Sequence, residues 1–344
     1  MLQSRLRPLP RKDQTSQKTP TQNLQTIQAE VSQLNEHNLQ DEEEDDDVED
    51  IFSAFLPHLL PDDAPQFHGD PGQRLRYSSP MYGDLTIMVP HYPGQSENRN
   101  DEIAAGLHTE NRANQVEEGR KLFAHFLWSA AMVVAAGVED AAAAKKNSTG
   151  EDKLMWSVDG HRVLELGAGA GLPSVISVLS SASHVTMTDH PSSPAFLGAM
   201  EYNIMENVPA SLRPKIKSQP HEWGVLDDEF ALANKGRFSR IIAADCLWML
   251  AQHANLAKTL LWFLSDGGRV WVVAGFHTGR AVVANFFETA VALGLAIERI
   301  YERDLNADAG EEGREVRREW AAVRADEGPE NRKRWCVIAE LGRS

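Results

Sequence analysis

The sequence predicts an α/β protein built on a Rossmann-like, seven-stranded, mostly parallel sheet with helices on both faces. Three observations predict it. From residue 161 onward, short apolar strands alternate with helical stretches, as they do where crossover helices join parallel strands. The first strand runs straight into Gly167-Ala168-Gly169-Ala170-Gly171, a turn that in such sheets lines the ligand crevice. The second strand ends on a carboxylate, Asp189.

Residues 1–50 read as a disordered acidic tail. Their start is polar, and residues 41–50 (DEEEDDDVED) repel one another, so that stretch cannot pack. Leu24, Ile27, Val31 and Leu34 fall at helical spacing, too few turns for a stable isolated helix.

Residues 51–160 read as an N-terminal extension packing on the core. Residues 51–60 (IFSAFLPHLL) are apolar, 82–92 (YGDLTIMVPHY) extended, and 93–113 polar and loop-like. Residues 122–138 form the longest apolar run. It is rich in small residues and near the lower length limit for a membrane span, so a buried helix is expected, not a membrane segment. A polar connection is expected over 139–160.

Residues 161–344 read as the core. Strands are expected at 162–166, 184–189, 240–244, 269–276, 296–301 and 334–341. Helices are expected at 172–179, 195–205, around Leu256, Leu260, Leu261 and Leu264, and at 281–293.

The chain has 344 residues, 42% of them hydrophobic, and a formal net charge of −16. Such an acidic chain repels phosphate backbones, which argues against strong direct binding to nucleic acid and favours a basic protein surface. The two cysteines, Cys246 and Cys336, make neither a disulfide framework nor a metal-ligand spacing, and a reducing, cytoplasmic setting is expected. Arg5, Arg7, Arg11 and Lys12 begin the chain, but Pro8 and Pro10 interrupt any amphipathic targeting helix.

The glycine spacing selects among cofactors. A dinucleotide loop reads G-x-G-x-x-G, and here Leu172 stands where its third glycine would be. S-adenosylmethionine has no pyrophosphate to cradle. Its sulfonium and ammonium groups favour nearby acceptors, and Glu165 can hold the loop or the amino-acid end of that cofactor. Asp189 can accept both ribose hydroxyls.

Taken with these features, VLELGAGAGLPS, TDHPSSP, HEWG, AADCLW and LFAHFLW resemble methyltransferase family 16. They are closest to its fungal nicotinamide N-methyltransferase-like branch, which includes the elongation-factor N-terminal and lysine methyltransferase. The resemblance covers about residues 51–342 and implies a class I, S-adenosylmethionine-dependent fold. It places Trp128 near the end of the helix before the glycine motif, beside the cofactor. It puts Gly167, Ala168 and Gly169 in the cofactor loop, Asp189 on ribose, Trp223 against adenine, and Ala244 facing the cofactor; Gly171 belongs to the cofactor loop by the glycine spacing.

Asp245 and Trp248 follow the strand expected at 240–244, where lysine-methylating relatives often carry D-x-x-Y; here the pattern is D-x-x-W. His277 follows the strand expected at 269–276 and is a candidate for positioning or deprotonating an amine. Asp245, Trp248 and His277 are therefore the candidate catalytic residues. No metal-ligand cluster is read.

Three functions are carried. The first is a protein N-methyltransferase acting on a lysine or an amino terminus, with a translation factor as the implied target. The second is a small-molecule nicotinamide N-methyltransferase, and the third a non-catalytic cofactor-binding scaffold. Oligomeric state is not readable.

Overall fold

A computed structural model of the chain describes residues 2–9, 67–91, 126–147, 155–306 and 315–344. The extension opens with short strands β1 (Leu6–Pro8), β2 (Phe67–His68), β3 (Arg74–Ser79), β4 (Gly83–Met88) and β5 (Leu127–Trp128), then helix α1 (Ser129–Asn147). In β3, Leu75 and Tyr77 point inward and Arg76 outward, the period-two alternation of a half-buried strand. Ser79 closes the hairpin to β4, its hydroxyl accepting from the Met81 and Tyr82 amides at 3.1 and 2.8 Å.

Residues 2–9 correct the expected tail. Leu2 is buried and β1 pairs antiparallel with β3. The Arg5 guanidinium reaches buried Glu139 of α1 at 3.0 Å, and the Tyr77 hydroxyl donates to the same carboxylate at 2.9 Å. The remainder of the expected tail, residues 51–60 and residues 122–125 of the apolar run lie outside the described residues. Helix α1 runs on to Asn147, through what the sequence reads as a polar connection, because Ala141 to Ala144 are strong helix formers.

The core alternates as expected. Its elements are β6 (Arg162–Leu166), α2 (Leu172–Leu179), β7 (His184–Asp189), α3 (Ala199–Asn207), β8 (Ile216–Pro220), α4 (Glu229–Asn234) and β9 (Phe238–Ala244). Then come α5 (His253–Phe263), β10 (Leu264–Gly275), α6 (Arg280–Ala292), β11 (Leu295–Asp304), β12 (Arg317–Glu319), α7 (Pro329–Lys333) and β13 (Trp335–Arg343).

The main sheet has the order β12-β11-β13-β10-β9-β6-β7-β8. From β8 to β10 the strands are parallel; β13 runs antiparallel to β10, and β11, antiparallel to β13, returns to the direction of the parallel set. The expected seven strands are thus extended by an eighth, the polar three-residue edge strand β12. The expected helix over 195–205 is split at Gly198, whose φ of 113° is open to glycine alone at low cost.

Alternate residues of the central strands face opposite helical layers. Val163, Val185 and Met187 pack with α1 and α2, whereas Leu164, Leu166 and Ile241 pack with α5 and α6. Among the described residues no helix is long and apolar enough to cross a membrane.

Candidate active site

Strand β6 has β7 on one side and β9 on the other. The chain therefore changes direction across the sheet at β6, and a crevice opens beyond the carboxyl ends of β6 and β9. The glycine loop fills the first turn there. Gly167 has φ of 64°, and a Cβ on it would stand 2.9 Å from Cys246 Sγ and 3.3 Å from the Trp223 ring. Both its conformation and its neighbours exclude a side chain.

The cleft, about 980 Å³ with its open mouth, is lined by Gly167, Ala168, Gly169, Glu165, Asp189, Trp223, Ala244, Asp245, Trp248 and Trp128 among others. Ten of the twelve sequence-predicted site residues are brought together. Gly171 and His277 are not on its wall. Gly171 seats α2 on β7, where a Cβ would meet the Met187 side chain at 2.9 Å.

Two carboxylates hold the loop. The Gly169 amide donates to Asp189 Oδ2 at 2.8 Å, and the His190 amide donates to Oδ1 at 2.8 Å. Burial pushes the Asp189 carboxyl above its usual range, and these amides oppose that shift. Each oxygen retains acceptor capacity, which fits a ribose diol. Glu165 lies beneath the loop, where its Oε2 accepts from the Ser174 amide at 3.0 Å and hydroxyl at 2.5 Å. It thereby caps the first turn of α2. Burial raises its carboxyl to about 8.

The far wall is aromatic and acidic. Trp128 lies on β5 directly ahead of α1, at the start of the helix that precedes the glycine motif, where Leu127 and Trp128 pair with His68 and Phe67 of β2. Its ring packs edge-on to Phe126 at 6.1 Å and stacks on His277 at 4.9 Å. Asp245 follows β9 with φ of 59°, a left-handed conformation that aspartate tolerates. Its Oδ1 accepts from the Gly275 amide at 3.2 Å and lies 3.7 Å from His277 Nδ1. Burial raises Asp245 to about 7 and lowers His277 to about 4. His277 is neutral at physiological pH and stands behind Trp128, with 6% exposure. Its place is that of a support to Trp128 and Asp245.

Cys246 also lines the cleft, its thiol donating to the Leu166 carbonyl at 3.2 Å. Burial pushes that thiol well above its usual range, which leaves it protonated and unreactive.

Sequence reasoning missed Phe126, Ser193, His221 and Met249, all on the cleft wall. The HEWG string marked the strand end that carries His221. Nothing in the pattern marked Met249.

The residues present fit S-adenosylmethionine: a diol acceptor at Asp189, aromatic surfaces at Trp223 and Trp128, and a buried acid at Glu165 on the cleft wall. A parallel sheet reversing beside a glycine loop, with a strand-end acid across from it, defines a class I S-adenosylmethionine-dependent methyltransferase. The sequence profile of the lysine methyltransferase family matches residues 109–291. The chain belongs to that family.

The protein N-terminal and lysine N-methyltransferase EFM7 of Candida glabrata is 29% identical over 183 residues, covering 52% of this chain and 66% of that one. Its counterpart in Schizosaccharomyces pombe is 30% identical over 190 residues, covering 53% and 68%. Among solved structures, a TehB-like SAM-dependent methyltransferase from Corynebacterium glutamicum superposes with a TM-score of 0.36 at 15% identity, covering 60% of this chain and 88% of that one.

Proposed function

We propose that this chain methylates an amine nitrogen of a protein, a lysine side chain or an amino terminus, at the wall formed by Asp245, Trp248 and Trp128. The observation that carries the proposal is the Asp245 carboxyl, buried at the cleft wall beside the cofactor loop and raised to about 7. The two fungal relatives, named as protein N-terminal and lysine N-methyltransferases, support the choice of acceptor.

S-adenosylmethionine, when bound, supplies an electrophilic methyl group on a sulfonium that departs as a thioether. The protein's contribution is alignment and charge, since displacement of so good a leaving group needs little acid–base assistance. An incoming ammonium must first lose a proton, and the Asp245 carboxylate is placed to take it. The indoles of Trp128 and Trp248, both on the cleft wall, would favour a cationic amine before and after transfer. The net charge of −16 favours a basic protein surface as partner, and the family resemblance suggests a translation factor.

Incubating the purified chain with methyl-labelled S-adenosylmethionine and a lysate lacking the endogenous enzyme tests this. The proposal expects label in a discrete protein band, mapped to lysine or an α-amino group. Label confined to nicotinamide or another small amine contradicts it.

A further inference from the structure

The glycine loop is held from a second side, by a residue outside the cleft. Asn203 lies on α3 and is fully buried. Its Oδ1 accepts from the Met88 amide of β4 at 2.7 Å. Its Nδ2 donates to the Met88 carbonyl at 2.9 Å and to the Ala170 carbonyl at 2.8 Å. Both amide hydrogens are therefore used.

Asn207, one turn further along, treats Thr86 the same way. Its Oδ1 accepts from the Thr86 amide and its Nδ2 donates to the Thr86 carbonyl, each at 2.8 Å. Residues four apart share a helix face, so the two asparagines together supply hydrogen bonds to the outer edge of β4, the last strand of the sheet β1-β3-β4. They differ in one respect. The remaining bond of Asn207 goes to the Asn203 carbonyl at 2.8 Å, whereas that of Asn203 goes to the glycine loop.

Ala170 lies between Gly169 and Gly171, both in the left-handed region, in a segment with much backbone freedom to lose on ordering. Asp189 holds that segment at the Gly169 amide, and Asn203 holds it at the next carbonyl. We propose that Asn203 is a positioning residue of the cofactor site: it fixes the glycine loop through Ala170 and ties the loop to the β3–β4 hairpin. Cofactor affinity is thereby coupled to the order of the N-terminal extension. The inference rests on reading the cleft as the S-adenosylmethionine site.

The test compares Asn203→Ala, Asn203→Ser and Asn207→Ala in the full-length chain, with S-adenosylhomocysteine binding read by calorimetry below the unfolding range. All three variants lose anchorage to β4, so all three lower the thermal midpoint. Asn203→Ala is expected to weaken binding by about tenfold or more, because the buried Ala170 carbonyl loses its donor. Asn203→Ser, which can still donate one bond, falls between it and wild type. Asn207→Ala is expected to stay within about threefold of wild type.

Equal weakening by the Asn203 and Asn207 variants, in step with their stability loss, would overturn the proposal. Absence of binding by the unaltered chain would instead overturn the cofactor reading on which it rests. Native-state hydrogen exchange on the unaltered chain gives an independent reading, including where the Asn203 variants do not fold. The Gly171 amide is expected to open together with those of Thr86 and Met88, and opening of the loop alone while the hairpin stays closed would contradict the coupling.

Discussion

Asp189 and Glu165 carry the cofactor account at the level of single side chains, and each makes a separate prediction. Asp189 spends one oxygen on the loop and one on the next amide, leaving acceptor capacity toward the cleft. Asp189→Ala is expected to weaken S-adenosylmethionine binding by about 1.5–3 kcal/mol, the cost of hydrogen bonds to a charged acceptor. Calorimetry showing unchanged affinity would remove Asp189 from the ribose site.

Glu165 is raised to about 8 by burial, so at neutral pH the free protein holds it protonated. A cation bound nearby favours the carboxylate and lowers that value. Binding is therefore expected to release a proton, and S-adenosylmethionine affinity to rise with pH from about 7 to about 8. Calorimetry in buffers of different ionisation enthalpy reads the proton directly, and Glu165→Gln should abolish this contribution. Proton uptake on binding, or release unchanged in Glu165→Gln, would assign the effect elsewhere. In the unliganded protein the same raised value has the opposite consequence. The native state holds a proton that the unfolded chain has already lost, so this group's contribution to stability falls as pH rises from about 4.5 to about 8.

Among the elements, β1 departs most from what the sequence suggests. Leu6 to Pro8 have neither length nor alternation, and their pairing with β3 depends on contacts far away in the chain. Arg5 meets Glu139 across 134 positions, a relation that no local pattern encodes. Deleting residues 2–9 leaves buried Glu139 without its cation. The deletion is expected to lower stability by about 2–4 kcal/mol, given that Arg5 is partly exposed. Arg5→Ala should reproduce much of that loss in a denaturant titration. A truncation that melts like the full chain would return β1 to the status of an unpacked tail.

The strands with strong apolar content, β6, β7, β9 and β10, were legible because burial on both faces leaves near-continuous hydrophobic runs. Strands β8 and β12 were not. They lie at the sheet's two edges, where IKSQP and RRE need little apolar surface.

For the whole molecule, the main sheet sets the site. Strand order converges the glycine loop, Asp189, Trp223 and Asp245 from four different strand ends on one cleft, although they span residues 167 to 245. The glycine loop, Asp189 and Asp245 were legible as candidates because they follow strand ends, where side chains face the crevice, whereas Trp128, Trp223 and Ala244 came from the family resemblance. His277 also follows a strand end, and its position behind Trp128 depends on how β5 packs, which is a tertiary fact. The two-residue strand β5 has no sequence signal of its own, yet it sets the aromatic wall by placing Trp128 between Phe126 and His277.

Asp245 is proposed to serve the acceptor amine and not the cofactor. Its most direct test is the rate of methyl transfer to the protein substrate by wild type and Asp245→Asn at saturating S-adenosylmethionine, with cofactor affinity measured on the same samples. Turnover is expected to fall by about 10²-fold, the scale for losing a positioned base, with cofactor affinity within a few-fold of wild type. The wild-type rate should also rise with pH through about 7 as Asp245 ionises, and that limb should disappear in the variant. Lost cofactor affinity with normal turnover at saturation would instead place Asp245 in the cofactor site.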